Sequence, residues 1–143
     1  MLLLAPIDVR CPSCGGRALV RSLVATVPND RRYALAQLRG PHRLSCTGCA
    51  LVRETETRTM TLHDDGRDPW FHATLWFREE TGLGPVWAYH SDHLVALREW
   101  IAADQRQCRV SGGWRSRLPR TLTAAASRTT VLRTIDAMLA RER

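Results

Sequence analysis

Two apolar spacings divide the chain. Ile7 and Val9 alternate with polar residues on the way to Cys11, and Ala18 to Val27 continues beyond Gly16 as an apolar run rich in β-branched residues. Residues 7–27 are therefore predicted to form the first arm of an antiparallel ribbon. Pro28-Asn29-Asp30 is turn chemistry. From Arg31 to Leu38 the spacing becomes helical, with Tyr33, Ala34, Leu35 and Leu38 as the expected apolar side, and Gly40-Pro41 ends the stretch. His42 to Ser45 then runs into a second cysteine pair. Leu51 to Leu62, dense in threonine and alternating in charge, reads as an extended, solvated strand closed by the turn His63-Asp64-Asp65-Gly66.

The middle of the chain is aromatic. Thr74–Arg78 and Val86–Tyr89 are predicted as a hairpin across Gly82-Leu83-Gly84-Pro85. A helix from Pro69 to Glu80, capped by Asp68, is the competing assignment. The aromatic side chains are either a core that seals the ribbon or a base-stacking platform, and the local acidity favours the core. Ser91 is expected to cap a helix ending near Gln105, with Leu94, Leu97 and Ile101 on its inward stripe. Cys108 to Trp114 reads as a connector, followed by a basic cluster to Arg120 and a short helical stretch, Thr121–Ala126. Ser127 then caps a last helix with Val131, Leu132, Ile135, Met138 and Leu139 inward.

The cysteines change this picture most. Cys11-Pro12-Ser13-Cys14 and Cys46-Thr47-Gly48-Cys49 are two C-x-x-C turns, a spacing that presents both sulfurs of a turn to one ion. Four thiolates complete a closed tetrahedral shell, so Cys11, Cys14, Cys46 and Cys49 are predicted to hold one structural Zn2+. Gly15-Gly16 suits a backbone that folds under the metal and aims N–H groups at sulfur. Two disulfides would need an oxidising compartment, and buried apolar thiols would have no reason to fall into equal pairs. Cys108, the fifth cysteine, is expected to be neither ligand nor bridged. His42 and His63 are expected to be solvated loop residues, and an oxygen-rich second metal at His63-Asp64-Asp65 is the lesser alternative. The spacer from Gly15 to Ser45 is 31 residues, and the helical stretch within it is the expected insertion.

The expected architecture is thus α+β: a zinc ribbon over residues 1–66, an aromatic hairpin plus helix over 67–107 packed on it, and a basic helical tail over 108–143. Met1 to Pro6 lacks a basic n-region and an apolar core, which with the free thiols points to the cytoplasm, and no membrane span is expected. The formal charge is +7, carried by arginine throughout, since the chain has no lysine. Its distribution is +5 over residues 1–60, −4 over 61–100 and +6 over 101–143. Basic ends around an acidic centre direct any phosphate contact to Arg17, Arg21, Arg31, Arg32 and Arg43 with Arg115, Arg117 and Arg120.

With the knuckles, Val86-Trp87-Ala88-Tyr89, His93-Leu94 and Ser116-Arg117-Leu118-Pro119 in view, most of the chain resembles small bacterial proteins containing a TFIIB-type zinc ribbon. The resemblance implies zinc on Cys11, Cys14, Cys46 and Cys49, and it names a fold element, not an activity. Catalysis finds little support: four thiolates leave no open coordination position, and no catalytic triad, phosphate-binding glycine loop or small-molecule site stands out. Nucleic acid is the preferred partner, and a protein held by the ribbon or the last helix is the alternative.

Overall fold

The computed structural model describes residues 2–25, 30–56, 60–103 and 124–143. After a 3-10 turn at Leu2–Leu4 come strands β1 (Ile7–Arg10) and β2 (Arg17–Ser22), helix α1 (Arg31–Arg39), and strands β3 (His42–Cys46) and β4 (Val52–Thr55). Strands β5 (Phe77–Thr81) and β6 (Gly84–Ala88) form a hairpin, followed by helix α2 (Ser91–Ala102). A 3-10 turn at Ala125–Ser127 leads into helix α3 (Arg128–Arg141). No helix among the described residues is long and apolar enough to cross a membrane. The expected basic cluster and Cys108 lie outside the described residues.

The first four strands make an antiparallel sheet in the order β1-β2-β3-β4. Alternation sends Ile7, Val9, Ala18, Val20, Leu44 and Cys46 to one face, where they are buried. His42 shares the parity of Leu44 and Cys46, and it is buried with them, only 2% exposed. This corrects the expectation of a solvated histidine. Its ring stacks on Trp70 at 3.7 Å between centroids, and its Nδ1 is 2.9 Å from the Gly40 carbonyl oxygen. Burial pushes its pKa down, so the neutral ring donating to Gly40 is the form that fits.

Helix α1 starts where turn chemistry gives way: the Asp30 carboxylate accepts from the Arg32 N–H at 2.8 Å. Its buried residues are Gln37 and Leu38, while Tyr33 and Leu35 are exposed, which corrects the expected apolar side. Trp70 fixes the helix end by donating its indole N–H to the Leu38 carbonyl at 3.1 Å.

The hairpin begins three residues later than expected, because Thr74–Trp76 is used elsewhere. The Arg10 N–H donates to Thr74 O and the Trp76 N–H to Asp8 O, at 2.8 and 2.9 Å, while the Asp8 N–H donates to Tyr89 O. These bonds cover the outer edge of β1, an edge that would otherwise be open to pairing with another chain. Strand β6 is covered on both faces. Val86 and Ala88 join Phe77 against α2 and α3, whereas Trp87 and Tyr89 join the core of the four-stranded sheet. Leu94, Leu97 and Ile101 of α2 meet Val131, Ile135 and Met138 of α3, as their spacing predicts.

His90, not Ser91, is the N-cap of α2, accepting from the His93 N–H at 3.1 Å. His93 is 3% exposed, and its Nδ1 accepts from the Tyr89 N–H at 3.0 Å. Burial, with the nearby His90, lowers its pKa from 6.5 to about 4. The folded state therefore binds this proton less readily than the unfolded chain. Stability is complete above the unfolded value and lost as pH falls through this window, by about 3 kcal/mol at its acid end. His93→Asn keeps an acceptor at the Nδ1 position for the Tyr89 N–H without the titration. Comparing unfolding free energies of both proteins between neutral and acid pH is expected to show a flatter profile for the variant. Cysteine titration is common to both and cancels.

Candidate metal centre

The β1–β2 and β3–β4 connections are the two C-x-x-C turns, and the meander of strands puts both at the same end of the sheet. Helix α1 spans the opposite end, so the long spacer does not separate the sulfurs. The pairing of Ala18 with Cys46 across β2 and β3 sets the two turns side by side.

Each turn closes in the same way. The Cys11 N–H donates to Gly16 O at 2.7 Å, and the Cys46 N–H donates to Leu51 O at 2.9 Å. Each also needs a left-handed residue just after its second cysteine: Gly15 at φ 74° and Ala50 at φ 60°. In the first turn the Ser13 and Gly16 N–H groups point at the Cys11 and Cys14 sulfurs, both at 3.4 Å. A Cβ on Gly16 would lie 3.3 Å from the Cys14 sulfur, so glycine permits this approach. Ala50 carries a left-handed cost of about 1 kcal/mol that glycine would not. Ala50→Gly is expected to raise the unfolding free energy by roughly that amount, read from the denaturant midpoint. No gain would mean the second turn is not strained.

The four sulfurs all lie within 4.8 Å of one another. Cys11–Cys49 and Cys14–Cys46 are each 3.6 Å apart, far from a disulfide bond and near the edge of about 3.8 Å for a tetrahedral thiolate shell of the zinc type. Cys11 and Cys46 are buried under the sheet, and Cys14 and Cys49 are exposed. Backbone N–H groups and neighbouring sulfurs split the acidities of the first pair. The Cys14 backbone N–H, helped by Ser13 and opposed by burial, draws Cys11 down to about 6. The Gly16 N–H also favours the Cys14 thiolate, but the neighbouring Cys46 and Cys49 sulfurs outweigh it and hold Cys14 up at about 11. A cation among the four sulfurs removes that conflict. The cluster could hold one metal ion, and it is the only such group among the described residues.

The alternative centre does not assemble. His63 hydrogen-bonds His72, with Nε2 and Nδ1 2.7 Å apart, and the Asp65 carboxylate is taken by Arg67. Of the predicted phosphate-binding arginines, Arg17 bridges Asp8 and Glu142 at 2.9 and 2.6 Å, and Arg43 pairs with Glu54. Arg21, Arg31 and Arg32 are exposed and make no ion pair among the described residues. Arg115, Arg117 and Arg120 lie outside the described residues. The aromatic middle is mostly core, since Trp70, Phe77, Trp87 and Tyr89 are all buried.

One feature escapes the sequence, and a second is visible in it but assigned to the wrong element. Glu142, next to last in the chain, reaches Arg17 beside the first cysteine turn, and no local pattern marks so distant a pair. Asp68 is fully buried and accepts three backbone N–H groups, from Trp70, Phe71 and Ala73. Its capping signal in Asp68-Pro69 is legible, although it caps a loop and not the competing helix. No protein-family model, curated protein or solved structure matches this chain.

Proposed function

We propose that Cys11, Cys14, Cys46 and Cys49 hold one structural Zn2+ in a zinc ribbon of the TFIIB type, and that the protein is a non-catalytic, cytoplasmic nucleic-acid-binding module. The observation that carries this reading is the closed set of four sulfurs within 4.8 Å. A tetrahedral ion there has no position left for a reacting water, which fits a structural role and not a catalytic one. The net charge of +7 and the exposed Arg21, Arg31 and Arg32 support an anionic polymer as partner.

The test is the salt dependence of binding. Log affinity for duplex DNA is expected to fall linearly with log salt, by roughly 0.9 per phosphate neutralised. Reversing Arg21, Arg31 and Arg32 together to Glu is expected to shrink the slope and leave the metal content unchanged. An absence of binding to DNA and RNA at low salt would remove this reading. A protein-binding adaptor is then the second reading, favoured by the sequestration of Arg17 and Arg43 and by the exposed Leu23, Tyr33 and Leu35 near one end of the sheet.

A further inference from the structure

A cleft of about 280 Å³ lies between the first cysteine turn and the end of α3. Arg10, Gly15, Trp76, Arg141 and Glu142 line it, with the buried Phe77 and Met138. Its volume is just below the roughly 300–1,000 Å³ of drug-sized ligand sites, which suits one ring system and not a whole dinucleotide. Trp76 stands apart from the buried aromatics because it is only half-buried. Its indole is held by a hydrogen bond from Nε1 to the Glu142 carboxylate at 3.1 Å, and Arg17 lies 6.0 Å from the ring centroid.

The charges around the indole are not equivalent. Glu142 is engaged by Arg17 and Trp76, Arg17 also by Asp8, and Arg141 by Glu79. Arg10 makes no ion pair among the described residues; its guanidinium only approaches the Arg78 carbonyl oxygen, at 3.5 Å. An uncompensated guanidinium beside a part-exposed indole is the pairing that single-stranded nucleic acid uses: cation for phosphate, aromatic ring for base. Gly15 has no Cβ, and one placed there would meet nothing within 4 Å, so the cleft is open on the side of the cysteine turn.

We infer that this cleft is a binding site for one unpaired base of a single strand, packed against Trp76, with its phosphate on Arg10. The inference rests on the nucleic-acid reading and deepens it, since it favours single strands over duplex at this site. The test compares a single-stranded oligothymidylate with an abasic strand of equal length and charge. The native protein is expected to bind the thymidylate about tenfold more tightly. Trp76→Leu is expected to erase that preference while keeping the abasic affinity, the salt slope and the bound metal. Arg10→Gln is expected to weaken both strands and to lower the salt slope by about one contact. This second variant carries the test if Trp76→Leu does not fold, and unchanged affinity in it overturns the site. Equal affinity of the native protein for both strands, or a Trp76→Leu variant that keeps the preference, overturns the cleft and leaves the wider reading standing. If neither strand binds, both readings fall.

Discussion

Cys11→Ser is expected to lose bound metal and cooperative folding together. Cys11 directly follows β1, buried at 3% exposure, and its sulfur lies 3.6 Å from that of Cys49 on the other turn. A serine there leaves three thiolates crowded within 4.8 Å and an ion with an incomplete shell. Structural zinc contributes on the order of 10–16 kcal/mol to small metal domains. The whole stability of a domain is about 5–15 kcal/mol, so no remaining packing offsets that loss. The strands themselves are short, four to six residues each. Metal analysis with thermal unfolding decides the matter: a Cys11→Ser protein that melts cooperatively, or a native protein without metal, would defeat the structural role.

Asp68→Ala is the second large effect, and it has nothing to do with metal. The Asp68 carboxylate accepts from the Trp70 and Phe71 N–H groups through Oδ1, at 3.0 and 2.8 Å, and from the Ala73 N–H through Oδ2, at 2.6 Å. Burial pushes its pKa up, and the three N–H groups pull the other way. The loop it organises inserts Trp70 under α1 and holds His72 at φ 57°. Alanine leaves the three donors without that acceptor, each worth about 1–3 kcal/mol if buried and unsatisfied. A total loss of about 3–5 kcal/mol is expected once water reaches the outer donors. Asp68→Asn retains Oδ1 but turns an amide toward the Ala73 N–H, and is expected to fall between the two. A loss below 1 kcal/mol for alanine would show the loop is organised by Trp70 packing instead.

Local chemistry in the sequence carries over well where one segment decides its own structure. The two C-x-x-C turns, the Asp30 start of α1, the Gly40 stop and the Leu94, Leu97 and Ile101 stripe all have that character. The hairpin is less legible because Thr74–Trp76 bonds to β1, more than sixty residues earlier, and pairing at that distance leaves no local mark. His42 is a different kind of miss. Its parity with Leu44 and Cys46 announces an inward ring, and only the habit of placing histidine in loops hides it. In α1 the apolar Tyr33 and Leu35 suggest a face that tertiary packing assigns to Gln37 and Leu38.

The closure shared by the two cysteine turns bears on how proteins of this build can be found. What repeats is a six-residue unit: a cysteine whose N–H returns to the carbonyl five residues on, with a left-handed residue before that acceptor. The connection between the units runs around the far end of the sheet and leaves the sulfurs where they are. A pattern search that fixes the distance between cysteine pairs therefore tests a quantity on which the clustering of the four sulfurs does not depend. One that scores each six-residue unit separately, and leaves the distance free, asks for what the chemistry requires.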